Sequence, residues 1–68
     1  SFSIPKQSQT LIKVYDIKGN FISTLLNEFM NVGYHQIEWN AEDYPSGIYF
    51  VKLDAGEFTQ TQKLMLIK

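Results

Sequence analysis

The 68-residue chain has no cysteine, so neither a disulfide framework nor a thiolate metal site can staple it. Many exported bacterial proteins also lack cysteine, so this absence does not place the chain in the cytosol. Arginine is missing too. Six lysines stand against seven carboxylates, a formal charge of -1 at pH 7, which gives no electrostatic footprint for nucleic acid or an anionic membrane. No run approaches the ~18 consecutive apolar residues of a membrane helix, and the N-terminus lacks the basic, apolar and small-residue order of a signal peptide. No 20 to 50 residue period repeats, which excludes a solenoid. What is present is apolar: 44% hydrophobic and 15% aromatic residues are too many for a disordered chain. A single small domain is expected, burying only about 60% of its unfolded surface. Its opening at Ser1-Phe2-Ser3-Ile4 already alternates like a strand, and we read the chain as one module of a longer protein.

The alternation continues through short strands punctuated by turns. Phe2 and Ile4 form a first strand stopped by Pro5, which has no N–H to donate. Lys6 to Gln9 reads as a loop, and Thr10 to Tyr15 as a β-branched and aromatic second strand. Asp16-Ile17-Lys18-Gly19 carries the strongest local signal. Asp at the first and Gly at the fourth position predict a type I turn closing a three-residue hairpin with a bulge. The return arm, Asn20 to Leu26, puts Phe21 and Leu25 on one face and Ile22 and Leu26 on the other, so neither face is clean. Asn27 to Val32 is expected to be a crossing loop between two sheets. Gly33 to Trp39 alternates strictly, with His35, Ile37 and Trp39 inward.

Around Trp39 the remainder is organised. Burying this ring removes roughly 150 to 250 Å² from water, worth about 4 to 6 kcal/mol. The whole domain is stable by only about 3 to 10 kcal/mol, so Trp39→Ala is expected to leave it largely unfolded. Tyr44-Pro45-Ser46-Gly47 reads as a type I turn. Tyr49, Val51 and Leu53 of the following strand, Ile48 to Leu53, are expected to share the core with Trp39, while Ile48 and Phe50 point the other way. Asp54 to Glu57 is a tight turn with Gly56 at positive φ. The last strand, Phe58 to Ile67, ends apolar on both faces, and a bulge near Lys63 would reconcile them. About six or seven strands without a helix predict an all-β fold, a small antiparallel Ig-like β-sandwich; a small barrel is the alternative.

Catalytic patterns are weak. His35 is the one histidine, and Ser1, Ser3, Ser8, Ser23 and Ser46 sit in strand or turn contexts without a nucleophile elbow. Asp16 to Asn20 faintly resembles a calcium loop but lacks the further acidic ligands. Glu42 and Asp43 are adjacent in an extended stretch and point apart, unlike a hydrolase pair. Tyr34, Tyr44, Tyr49 and Phe50 could stack on a sugar, but core and rim packing is the commoner use of such rings. No enzyme activity, cofactor, metal or small-molecule substrate is expected.

Taken together, Val14-Tyr15-Asp16-x-x-Gly19, Gly33-Tyr34-His35-x-x-x-Trp39, Ser46-Gly47-x-Tyr49, Lys63-x-Met65 and Lys68 resemble the type A C-terminal sorting domain of the type IX secretion system. That domain is similar to the Ig-like domain of flagellar hook-capping proteins. The resemblance spans the whole chain, with Tyr15, Asp16, Gly19, Gly33, Trp39, Gly47 and Tyr49 as its structural positions. Asn40 stands where the family often has Asp, and the family's Asn-Pro-rich lead-in is absent. The resemblance implies a non-catalytic address that carries an upstream cargo domain through the periplasm and outer membrane of a Gram-negative bacterium, for release or surface attachment. Its partners would be the secretion translocon and the attachment machinery. Lys63, Leu64, Met65, Leu66, Ile67 and Lys68 would be the recognised signal; alternatively they seal the sandwich edge or dock on the cargo. The competing reading is a passive Ig-like spacer or accessory domain of an extracellular glycoside hydrolase or peptidase. A sorting domain ends its gene, whereas a spacer is followed by more protein.

Overall fold

The computed structural model describes residues 2–68. It holds six antiparallel strands and no helix: β1 (Phe2–Ile4), β2 (Ser8–Asp16), β3 (Phe21–Met30), β4 (Gly33–His35), β5 (Gly47–Ala55) and β6 (Phe58–Leu66). They form a four-stranded sheet in the order β3-β2-β5-β6 and a two-stranded sheet, β1-β4. Together they make the small β-sandwich expected from the strand and turn pattern.

Paired residues across an antiparallel ladder share a face, so the register identifies the core. Thr10, Ile12 and Val14 of β2 lie opposite Ala55, Leu53 and Val51 of β5, and Asp16 lies opposite Tyr49. Thr10, Ile12, Val14, Tyr49, Leu53 and Ala55 are buried, with Val14 fully so. Thr10 satisfies its buried hydroxyl by donating to the Ser8 carbonyl at 3.2 Å. Ile4 of the small sheet is 2% exposed. Beyond β4, His35, Ile37 and Trp39 are half-buried while Tyr34, Gln36 and Glu38 are exposed. The alternation read from Gly33 to Trp39 therefore persists, but its ladder ends at His35. His35 is tied down locally: its Nε2 donates to the Asn31 carbonyl at 2.7 Å, and its ring lies 5.6 Å from that of Phe2.

The turn at Asp16 forms as predicted. Gly19, at φ 87°, donates to the Asp16 carbonyl at 3.0 Å, and Asp16 N–H donates to the Asn20 carbonyl at 2.9 Å. The Asp16 Oδ1 accepts from the N–H groups of Lys18 (2.9 Å) and Asn20 (2.8 Å), and Oδ2 from the Asn20 amide. These bonds, led by that from the Asn20 N–H, hold the Asp16 carboxyl below its ordinary 3.8. A pKa lower in the folded than in the unfolded chain stabilises the fold above the ordinary value, and that contribution is lost as pH falls through the folded value. Urea titrations of wild type and Asp16→Ala should therefore differ most at pH 6, with the difference shrinking as pH falls below the ordinary 3.8.

Elsewhere the structure departs from the sequence-based expectations. Asn27 to Met30 is not a crossing loop; these residues continue β3, opposite Leu11 to Ser8. Only Asn31 and Val32 make the passage to β4. The bulge expected near Lys63 is absent, since β5 and β6 pair without a break from Gly47–Leu66 to Ala55–Phe58. The irregularities lie in β3 instead, where the register slips between Ile12 and Lys13 and again between Val14 and Tyr15, leaving Leu25 and Ile22 as extra residues. Each slip resets the side-chain alternation. Hence Leu25 and Leu26 are both half-buried, as are Ile22 and Ser23, and the mixed faces of the return arm are resolved. The hydrogen-bonded turn before β5 is Ala41 to Tyr44, closed by Tyr44 N–H to the Ala41 carbonyl at 3.1 Å, rather than Tyr44 to Gly47. The Pro45 carbonyl is engaged elsewhere, by the Tyr49 hydroxyl at 2.6 Å. The β5–β6 loop is Gly56-Glu57, one residue later than read, with Gly56 at φ 64°.

Trp39 is half-buried rather than sealed in the centre. Its ring packs 5.1 Å edge-on from Tyr49 and 5.4 Å from Tyr44. It borders an open cavity of about 740 Å³ between the layers, together with Phe2, Ile12, Leu25, Ile37, Val51, Leu53, Leu64 and Leu66. The small sheet is too narrow to cover the larger one, so the space over β6 stays open.

Candidate functional site

Lys63 to Lys68, the segment singled out from its apolar tail, is the end of β6 and the two residues beyond it. β6 occupies the edge of the larger sheet, and its ladder to β5 sets each side chain. Lys63 lies opposite Phe50 and Met65 opposite Ile48, on the outer face; Leu64 lies opposite Tyr49 and Leu66 opposite Gly47, on the inner face. The strand parity that makes the segment apolar on both faces thus divides it. Leu64 (37% exposed) and Leu66 border the open cavity, while Met65 (60%) and, past the strand, Ile67 (79%) face solvent.

The tail does not hang free. The Lys68 backbone N–H donates to the Ser46 Oγ at 3.0 Å, and its ammonium Nζ donates to the Glu42 carbonyl. Both partners sit on the stretch that carries the chain from Trp39 into β5. Tyr49 anchors the same stretch through its bond to the Pro45 carbonyl. The chain between Trp39 and Tyr49 is therefore a seat for the last residues, held from below by the two aromatic rings.

Several motif positions converge here. Gly47 pairs with Leu66, Tyr49 with Leu64, and Trp39 contacts Tyr49. One strand further in, Asp16 lies opposite Tyr49 and Tyr15 opposite Phe50. Gly19 closes the β2–β3 hairpin, and Gly33 belongs to the small sheet, opposite Ile4. Both shape the scaffold away from the tail. Ser46 and Glu42 were not singled out as partners of Lys68, because bonds spanning 22 and 26 residues leave no local signal. Glu42 contributes only its main-chain carbonyl, for which side-chain chemistry gives no clue.

Among the described residues no cluster of three or more His, Cys, Asp or Glu could hold a metal. The Asp16 oxygens that faintly suggested a calcium loop are taken up by the turn itself. Exposed apolar side chains on an ordered strand edge are instead suited to recognition by another protein.

A family model for the secretion system C-terminal sorting domain matches residues 1–68, the whole chain. No curated protein and no solved structure matches it. The full-length match agrees with the motif order from Val14 through Lys68, and the chain belongs to the family of type IX secretion system C-terminal sorting domains.

Proposed function

We propose that this domain is the non-catalytic export address of a larger protein, and that Lys63 to Lys68 is the part of it that the secretion translocon reads. A cargo domain upstream in the same chain would follow it through the periplasm and outer membrane of a Gram-negative bacterium, to be released or handed to the attachment machinery. Family membership supports a sorting role and export to the surface or beyond. The observation that carries the assignment of the signal is its presentation: Met65 and Ile67 are exposed, yet the segment is held by β5 and by the Ser46 and Glu42 bonds. A receptor meeting such an ordered segment loses less conformational entropy than one that must order a loose tail.

The test uses a reporter fused ahead of the domain in a host that has this apparatus. Met65→Ser, Ile67→Ser and Lys68→Ala are combined, all at exposed positions whose surface substitution should leave the fold within a few degrees of its melting temperature. Losing two exposed apolar anchors at about 0.8 kcal/mol per methylene should cut surface delivery at least about tenfold. Undiminished export of the folded variant would move the signal elsewhere and favour the spacer reading.

A further inference from the structure

The two edges of the larger sheet are built differently. β3 is interrupted at Ile22 and Leu25, and such bulges bend an edge strand and spoil its row of free N–H and C=O groups. β6 has no such protection. It pairs with β5 without a slip over all nine residues, contains no proline, and carries Lys63 as its one charge. Thr59 to Met65 are exposed throughout. Because Ala55 and Phe58 flank a two-residue loop, they form a hydrogen-bonded pair, and alternation then directs the N–H groups of Thr59, Thr61, Lys63 and Met65 away from the sheet. A free row of this kind is satisfied by another extended backbone.

We infer that this edge pairs antiparallel with the same edge of a second copy, about a twofold axis at Gln62, joining two four-stranded sheets into one of eight strands. Gln62 is the midpoint of Phe58–Leu66, so this register engages the whole strand. Outward-pointing residues meet one another, Thr61 against the partner's Lys63 and Thr59 against the partner's Met65. Phe58 meets the partner's Leu66, which brings apolar side chains together at both ends of the seam. The charge selects this register over its neighbour: centring the pair on Lys63 would set two ammonium groups directly opposite, which is destabilising. It would also leave Phe58 and Thr59 without partners. Centring on Thr61 avoids the clash but strands Met65 and Leu66. Pairing about Gln62 would cover the edge that displays Lys63 and Met65, so the dimer and a reader of the signal would compete; that consequence rests on the export reading, whereas the pairing does not.

Position 62 meets itself only at the twofold axis, and its neighbour on β5 is the uncharged Val51. Sedimentation velocity on the 68-residue chain from micromolar to millimolar concentration should show a reversible monomer–dimer equilibrium. Gln62→Glu and Gln62→Lys should each weaken it by on the order of fivefold through like-charge repulsion. An equimolar mixture of the two should associate more tightly than either alone, with all three proteins melting alike. A chain that stays monomeric at every concentration, single variants that dimerise like the wild type, or a mixture no tighter than its components would each overturn the proposal.

Discussion

Ile12→Ala is expected to lower the melting temperature of the domain by about 10 °C or more, or to abolish a cooperative transition at room temperature. Ile12 is 2% exposed at the centre of the larger sheet, between Leu26 on β3 and Leu53 on β5. Truncating a buried isoleucine costs about 2 to 5 kcal/mol, through lost transfer free energy and the cavity left behind. The whole domain has only about 3 to 10 kcal/mol, and each kcal/mol moves the midpoint of so small a protein by about 4 to 8 °C. Trp39→Ala should cost less, about 2 kcal/mol, because a half-buried ring forfeits only part of the ~3 to 5 kcal/mol of a buried one. Thermal unfolding followed by circular dichroism ranks the two. A larger loss for Trp39→Ala would return the indole to the centre of the fold and make Ile12 secondary.

Deleting Lys63 to Lys68 is expected to unfold the domain, not merely to erase a label. The deletion removes the partners of Phe50, Tyr49, Ile48 and Gly47 and both bonds from Lys68 to the seat. Cross-strand pairs contribute roughly 0.2 to 1 kcal/mol each. The part-buried Leu64 and Leu66 add a fraction of the ~1.5 to 3 kcal/mol of a fully buried leucine apiece. The sum is comparable with the stability of the domain. Far-UV circular dichroism should show the truncated chain lacking a cooperative melt, whereas the exposed triple variant at Met65, Ile67 and Lys68 retains one. An export defect in the truncated chain would then report folding and recognition together. The triple variant separates them, because it leaves the β5–β6 ladder in place. A truncated chain that melts like the wild type would show that β5 holds its shape with half of β6 gone.

The contrast between these two variants follows from how the domain is assembled. β5 is the hub, paired with β2 on one side and β6 on the other. Ile12 and Leu53 lie on the two central strands and are 2% and 5% exposed. Leu64 and Leu66 sit where the small upper sheet fails to reach. That gap leaves the inner face of β6 open at Leu64 and Leu66, while the hydrogen bonds at Ser46 and Glu42 hold the tail beyond it.

Much of this was legible in residues whose partners are close in the chain. The Asp16 side chain bonds N–H groups two and four residues on, and Gly19 supplies the conformation that closes the turn, so that hairpin could be read without its neighbours. Strict alternation likewise disclosed the inward face of His35, Ile37 and Trp39. The doublets Ile22-Ser23 and Leu25-Leu26 were ambiguous, because a period of two cannot accommodate them until the register of β2 against β3 is known. Asn27 to Met30 were misread for the same reason: a polar, mixed segment becomes strand only when Ser8 to Leu11 offer it a ladder.

By itself, the order of residues determined an all-β domain, its principal hairpin and its membership in the sorting-domain family, since local turn chemistry and two-residue periodicity act over a few positions. Tertiary structure alone decided that β6 is the unprotected edge, that Trp39 borders an open cavity rather than a sealed core, and that Lys68 is seated on Ser46 and Glu42. Those outcomes depend on which strands lie side by side, and strand pairing is a long-range choice made by burial and backbone hydrogen bonding across the whole sheet.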